Sequence, residues 1–261
     1  MNLRGFLIDL DGVVYTGGTP VPGAMETVSW LRQEGYPFRF ISNTTRKSQK
    51  SISERLLAMN FDIKPDIIFT PAVAAAKLIR KRGVSRIHLL STGDVHIDFE
   101  RAGLEQSPEG ADVIVVGDAG DNFTYTAMNH AFRLILEGVP FMALERDRYW
   151  MDAGGLSLSA GPFVAALEYA TGSRAELVGK PSPAFFRVAL DSMGLSPGEC
   201  AMIGDDAVSD IQGAMDSGMA GLLVETGKFR QEELSRLSRP PTKVLHSLAE
   251  LPKLLLNAVD L

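Results

Sequence analysis

The stretch GFLIDLDGVV, residues 5 to 14, is an apolar run that suddenly carries two carboxylates, Asp9 and Asp11, followed by Gly12. Inside a buried strand an unpaired carboxylate is costly, because it loses its water and gains nothing in return. At the end of a strand the situation differs. Ligands of open parallel sheets collect beyond the carboxyl ends of the strands. The stretch therefore predicts the first strand of a parallel sheet with a site at its tip.

Outward from this strand, apolar runs alternate with amphipathic ones, the pattern of βαβ units. Residues 23–34 read as helix, PFRFISN as strand, 46–60 as helix, DIIFT as a short strand and 71–82 as a helix with Pro71 in its first turn. A second series follows: strand RIHLLST, helix 94–102, strand DVIVVGD, helix 124–137, strand PFMALE and helix 161–170. After it come a turn and helix in GKPSPAFFRVALDSMG, the strand CAMIGDD, the strand AGLLVETG and a closing helix over 247–256. The expected fold class is α/β, a doubly wound parallel core with a second α/β module inserted. The expected division is 1–82 and 178–261 for the core and 83–177 for the insert, a size that domains commonly have.

The 261 residues are 45% hydrophobic and 22% charged, with a formal net charge of −6. An acidic total argues against a surface built for nucleic-acid phosphates or anionic lipid. No run of 18 apolar residues occurs, and Asp9 and Asp11 interrupt the only apolar run near the start, so no membrane span and no secretory leader are expected. A single cysteine, Cys200, excludes an intramolecular disulfide and any multi-cysteine zinc site. A cytoplasmic protein that binds neither nucleic acid nor membrane is expected, and a homodimer stays open.

Four strand ends carry chemistry: Asp9 and Asp11, SNTT at 42–45, Lys180 in GKPSP, and GDDAVSD at 204–210. Carboxylates converging in one pocket repel one another unless a cation compensates. Oxygen ligands without a histidine or cysteine cluster favour Mg²⁺ over zinc. Lys180 adds a positive charge and Ser42 adds donors, a set that suits a phosphoryl group. A carboxylate can attack phosphorus, which makes Asp9 the candidate nucleophile. Asp11, two residues on along an extended chain, would emerge on the same side as a general acid and base. Gly12 permits a sharp turn of the backbone toward the bound ion.

In that order and spacing, DLDGVV, SNTT, Lys180 and GDDAVSD resemble the four motifs of the haloacid dehalogenase-like hydrolase superfamily. The gap of about 135 residues between the second and third motifs is where that superfamily carries a C2-type cap. FRLILEG, GPFVAALEYATG, VGKPSPAFF, MIGDDAVSDIQGA and TGKFR resemble the branch of phospholysine, phosphohistidine and inorganic pyrophosphate phosphatases. The resemblance implies a Rossmann-like core, Mg²⁺ held by Asp9, the backbone carbonyl of Asp11 and Asp205, and support from Asp206 and Asp210. It further implies that Asp9, Leu10, Asp11, Ser42, Asn43 and Lys180 meet the transferred phosphoryl group of a small phosphorylated substrate. The superfamily's dehalogenases lack the second acid and its ion-pumping ATPases carry threonine there, so Asp11 favours hydrolysis. Sugar-phosphate or nucleoside monophosphate hydrolysis is the alternative activity, and a receiver-like module that binds phosphoryl without turnover is the alternative from another class.

Blander roles stand beside these. Asp206 could only cap the helix starting near Ala207, and Thr44 or Thr45 could cap the helix after SNTT. His88, His96, His130 and His246 show no ligand spacing, and Cys200 opens an apolar strand as an inert thiol. In the insert, ERDRYWMDAGG at 145–155 mixes charge, aromatics and glycine after a strand. Arg146, Asp147, Arg148, Tyr149 and Trp150 are its candidates for reading a leaving group, against the alternative of a surface loop with two aromatics anchored in the core.

Overall fold

The structure, a computed structural model, describes residues 3–152 and 154–259. In chain order its elements begin with β1 (Gly5–Asp9), β2 (Tyr15–Thr16), β3 (Thr19–Pro20), α1 (Ala24–Gln33), β4 (Phe38–Ile41), α2 (Gln49–Ala58), β5 (Ile68–Phe69) and α3 (Pro71–Lys81). Then come β6 (Arg86–Leu90), α4 (His96–Arg101), β7 (Glu105–Gln106), β8 (Val113–Val116), α5 (Tyr125–Leu136), β9 (Phe141–Ala143), β10 (Tyr149–Asp152), β11 (Gly155–Leu158), α6 (Ala160–Thr171) and β12 (Glu176–Leu177). The chain continues through α7 (Pro183–Asp191), β13 (Cys200–Gly204), α8 (Gly213–Asp216), β14 (Ala220–Val224), β15 (Lys243–Leu245) and α9 (Leu251–Val259). Packing divides them into two compact units: residues up to Ser42, Ser53–Phe69 and from Lys180 onward in the first, Asn43–Ile52 and Thr70–Gly179 in the second.

The first unit is a six-stranded sheet in the order β15-β14-β13-β1-β4-β5, with every pairing parallel. All five residues of β1 and of β13 are buried. This is why these strands read as continuous apolar runs rather than alternating ones. The chain moves outward from β1 through β4 to β5, then returns to the other side of β1 and moves outward through β13, β14 and β15. The reversal lies between β1 and β13, where the connections leave a crevice at the strand ends. Their register pairs Ile8 with Ile203, so Asp9 stands level with Gly204 and one residue before Asp205.

The second unit is a five-stranded parallel sheet in the order β12-β9-β8-β6-β7, with the antiparallel hairpin β10–β11 beside it. Ile114, Val116 and Phe141 of the sheet pack with Leu134 and Ile135 of α5 and with Val164 and Leu167 of α6. Thr70 caps α3 by accepting from the Val73 N–H, and Thr124 caps α5 by accepting from that of Ala127. The helix α3 groups with this unit, whereas the sequence pattern places residues up to 82 with the core. Residues 71 to 76 are all buried and apolar, and α3 packs on α4.

Two local expectations are corrected. The helix after SNTT starts at Gln49 rather than near residue 46, so the capping position falls to Ser48, whose hydroxyl oxygen accepts from the Ser51 N–H at 3.3 Å. Asp94 accepts from the Ser48 N–H and from the hydroxyls of Ser48 and Ser51 at 2.6 and 2.5 Å, tying down the first turn from outside the helix. Thr45 instead accepts from the Asp118 N–H at 2.9 Å. The hairpins β2–β3 and β10–β11 and the edge strand β15 have no counterpart in the sequence pattern. Residue 153, within the segment 145–155, lies outside the described residues.

Candidate active site

The strand β1 ends at Asp9 because the Leu10 carbonyl is taken by the N–H groups of Val14 and Tyr15, at 2.9 and 3.2 Å, which reverse the chain. The two-residue strand period therefore stops before Asp11. Asp9 is buried and Asp11 is exposed, and they do not share a strand face as the spacing suggests. The Leu10 side chain is buried apolar core, so only its backbone could meet a ligand. Gly12 is essential to the reversal: its φ is +88°, and a Cβ there would lie 2.0 Å from the Asp205 carboxylate.

Lys180 opens the return of the chain to the first unit. The residue is 5% exposed, and its ammonium donates to Asp9 Oδ1 at 2.5 Å and to Asp210 Oδ1 at 2.6 Å. Asp210 is set by a widened π-type turn in which the Asp206 carbonyl accepts from both Asp210 and Ile211 N–H groups. Its carboxylate lies against Gly204, where a Cβ would approach it to 2.3 Å. Asp206 caps this turn through the N–H groups of Val208 and Ser209, the blander of its two expected roles.

Asp9, Asp205 and Asp210 each offer a carboxylate oxygen within 4.8 Å of the others, and all three are buried. Burial pushes Asp9 and Asp205 up to about 6 and Asp210 to about 7, against the pull of Lys180 on each. Burial draws the Lys180 ammonium down, but Asp210 and Asp9 more than reverse this, so it stays charged. Three buried acids, with Asp206 nearby, outnumber the ammonium groups of Lys180 and Lys228 and leave the cluster short of positive charge. The donors are all hard oxygens, with no histidine or cysteine among them, so the residues fit a divalent ion such as Mg²⁺.

A segment not singled out for chemistry completes this site. After β14, Thr226 donates its hydroxyl to the Gly12 carbonyl, and the Lys228 N–H donates to Asp205 Oδ2 at 2.6 Å. Gly227 lies against both, its φ +67° and its hypothetical Cβ 2.5 Å from Gly12 Cα. Burial lowers the Lys228 ammonium and the nearby Asp205, Asp9 and Asp206 raise it, for a net rise. The signal is present in TGKFR, a polar stretch directly after an apolar strand.

Ser42 follows β4, and its N–H donates to the Phe69 carbonyl at 3.1 Å. Asn43 belongs to the second unit, where with Thr45, Arg46, Asp118, Glu145 and Trp150 it lines a pocket of about 370 Å³. Arg46 donates to both Asp118 oxygens, at 2.8 and 3.0 Å, and stacks on Trp150 with its guanidinium carbon 4.8 Å from the ring centre. The Trp150 indole N–H is buried there without a partner. The other candidates of the 145–155 segment divide. Arg146 pairs with Glu168, Asp147 also lines this pocket, and Arg148 and Tyr149 line a separate groove.

Comparison with known proteins places the chain in a family. The sequence profile of haloacid dehalogenase-like hydrolases matches residues 6–105, and a HAD-hydrolase-like profile matches residues 177–251. The human haloacid dehalogenase-like hydrolase domain-containing protein 2 is 42% identical over 92% of this chain and 90% of its own. Human phospholysine phosphohistidine inorganic pyrophosphate phosphatase is 37% identical over 99% of this chain and 96% of its own. The crystal structure of a 4-nitrophenylphosphatase from Thermotoga maritima superposes with a TM-score of 0.89 at 29% identity, covering 97% of each chain. A doubly wound Rossmann-like core with an inserted α/β C2-type cap is thus common to this chain and to solved phosphatases. The chain belongs to the haloacid dehalogenase-like hydrolase family, and it is an enzyme of that family's phosphatase type.

Proposed function

We propose that the enzyme hydrolyses a small phosphorylated substrate, pyrophosphate or a phosphorylated lysine or histidine, through an aspartyl phosphate on Asp9, with Mg²⁺ as cofactor and in the cytoplasm. One observation carries the chemistry: a buried lysine bridging Asp9 and Asp210, with Asp205 alongside. The substrate class is supported by the 37% identity to a phosphatase named for those compounds. The single, buried Cys200 is compatible with the compartment.

Lys180 holds Asp9 Oδ1, leaving Oδ2 to attack phosphorus. The bond from phosphorus to the leaving oxygen or nitrogen breaks as the Asp9–phosphorus bond forms, and Asp11 gives that atom its proton. Asp11 then takes a proton from water, which attacks phosphorus, releases phosphate and restores the Asp9 carboxylate. The exposure of Asp11 suits a group that must meet both leaving group and water. Lys180, the Ser42 hydroxyl, Asn43 and the backbone of Leu10 and Asp11 would meet the phosphoryl oxygens. Asp9, Asp205 and the Asp11 carbonyl would hold Mg²⁺, with Asp206 and Asp210 in support. When bound, the ion neutralises charge on the transferring group, the effect that contributes most to the acceleration of phosphoryl transfer.

Phosphate release from pyrophosphate, phospholysine, phosphohistidine, sugar phosphates, nucleoside monophosphates and para-nitrophenyl phosphate, with and without Mg²⁺, tests this. Mg²⁺-dependent release that Asp9→Asn abolishes is expected. Unchanged turnover in that variant refutes the nucleophile. The pocket of the second unit, with the Arg46–Trp150 stack, favours ring-bearing sugar phosphates or nucleoside monophosphates as the alternative substrates.

A further inference from the structure

The loop after β14, from Thr226 to Arg230, is held at every residue. The Thr226 hydroxyl donates to the Gly12 carbonyl, Gly227 lies against Gly12 and the Asp205 carboxylate, and the Lys228 N–H donates to Asp205 Oδ2 at 2.6 Å. Phe229 packs on Ile211, Met215 and Leu223, and Arg230 folds back to donate to the Lys228 and Phe229 carbonyls at 3.4 and 2.7 Å. What the loop leaves free is the Lys228 side chain. It is exposed, and its ammonium makes no hydrogen bond or ion pair among the described residues. That ammonium nevertheless stands close enough to Asp205, Asp9 and Asp206 to be attracted by each, and to Lys180 to be repelled by it.

The two lysines of the site differ in what they can meet. Lys180 is buried and committed to Asp9 and Asp210. Displacement at phosphorus runs in line, so the departing atom lies opposite the attacking Asp9 oxygen. Asp9 is buried, and the departing group therefore points toward solvent, where Asp11 and Lys228 are both exposed. Asp11 supplies the proton and Lys228 the positive charge. Which substrates use that charge follows from what departs. When the bridging phosphorus–oxygen bond of pyrophosphate breaks, its electron pair goes to a second phosphate that is already anionic. A phosphorylated histidine or lysine releases an uncharged imidazole or amine, and para-nitrophenyl phosphate releases a nitrophenol that carries no phosphate. An ammonium beside the departing group forms a charge-assisted pair with the phosphate and finds nothing comparable in the others. The backbone around Lys228 is already fixed, so little order is lost when that pair forms.

We infer that Lys228 is a specificity-determining residue whose ammonium pairs with the departing phosphate of a diphosphate such as pyrophosphate, an inference that rests on the reading of Asp9 as nucleophile. The test compares kcat/KM of the full chain for pyrophosphate and for para-nitrophenyl phosphate in saturating Mg²⁺. Lys228→Met should lower the ratio of the two about 10- to 100-fold, the loss of one charged hydrogen bond. Lys228→Arg keeps the charge and should restore most of the ratio. Lys253→Met, which removes an exposed lysine from α9, should leave the ratio at the parent value. Calorimetric titration of Asp9→Asn protein adds a readout without turnover: there Lys228→Met should weaken pyrophosphate binding relative to inorganic phosphate by a similar factor. Equal losses on both substrates would mean that Lys228 serves only the acidic cluster, and would overturn the inference. An unchanged ratio, an equal fall in Lys253→Met, or a parent that hydrolyses para-nitrophenyl phosphate but not pyrophosphate would overturn it too. None of these results touches the nucleophile, which fails separately if Asp9→Asn turns over.

Discussion

Replacing Lys180 by methionine measures what holds the acidic cluster in the core. Methionine keeps most of the stem's length and apolar volume, so what is lost is the ammonium. That ammonium lies 2.5 Å from Asp9 Oδ1 and 2.6 Å from Asp210 Oδ1, with side-chain exposures of 4% for Lys180, 10% for Asp9 and 1% for Asp210. Removing one partner of a buried ion pair costs about 3–5 kcal/mol, mostly because the remaining charge is stranded without water. Two carboxylates are stranded here, and Asp205 adds a third nearby, so Lys180→Met should reach that range in metal-free protein. Adding Asp210→Asn should recover about 1–3 kcal/mol, since residues that share one network couple by that order.

The chain offers a clean probe. It has two tryptophans, Trp30 on α1 of the first unit and Trp150 in the second. In a Trp150→Phe background, Trp30 fluorescence reports the first unit alone, where its ring stacks on Tyr36 at 5.7 Å. In urea with a chelator, a loss of 3–5 kcal/mol at a slope of about 2–3 kcal/mol/M lowers the midpoint by about 1–2.5 M. A midpoint within about 0.3 M of the parent, or a double variant no more stable than Lys180→Met alone, would refute the claim that this lysine offsets the buried charge.

Other expectations concern neighbouring features. In Gly227→Ala the new methyl would lie 2.1 Å from Asp205 Oδ2 at a φ of +67°, so kcat/KM should fall about 100-fold, as a displacement near 1 Å can cause. Gly218→Ala shares the positive φ, at +85°, but its nearest neighbour is Pro197 Cβ at 3.4 Å, so it controls for backbone strain away from the site and should retain activity. Excess Mg²⁺ should raise the first unit's stability by about 1–3 kcal/mol through linkage, and Asp205→Asn should remove most of that gain; equal gains in both proteins would argue against Asp205 as a ligand. His88 in the second unit is held down to about 4 by burial and by neighbouring His130, with its ring Nε2 buried and unpartnered. The unfolded chain then binds the proton that the folded one does not between pH 6.5 and 4, so this contribution is complete above 6.5 and is lost as pH falls through that window. Discounted for a half-buried ring, the loss is about 1–2 kcal/mol. His88→Phe should flatten this part of the pH profile in unfolding followed by Trp150.

The core fold is legible because burial on both faces of a parallel strand leaves one signature. GFLID, CAMIG and AGLLV are nearly unbroken apolar runs, each ending where the backbone must leave the sheet, and the polar residues placed there are either turn formers or site residues. Asp9, Lys180, Asp205 and Asp210 all follow from that rule. What it cannot supply is the path of the chain after the strand. Asp11 parts from Asp9 because the Leu10 carbonyl draws Val14 and Tyr15 back upon it, a contact with no periodicity. The start of α2 is hidden for a related reason: Ser48 caps it, but Asp94 and Asp98, about 50 residues on, accept from the Ser48 and Gln49 N–H groups, and capping patterns are local.

The hairpin β10–β11 reads as a loop in sequence because its two short runs, YWMD and GLSL, are apolar on the side away from the second unit's core. Period-two patterning identifies a strand by assuming that its apolar face is the buried one. Where the apolar face points outward, the same alternation looks like a loop with misplaced hydrophobes. Tyr149 and Trp150, adjacent in sequence and both candidates for reading a leaving group, face opposite sides of one strand. Trp150 turns inward to Arg46 and the 370 Å³ pocket, and Tyr149 turns outward to the apolar face. Substitution of Trp150 should therefore alter substrate preference, and substitution of Tyr149 should leave it unchanged. A Tyr149 variant that shifts substrate preference as far as a Trp150 variant does would mean that the strand's two faces are not independent.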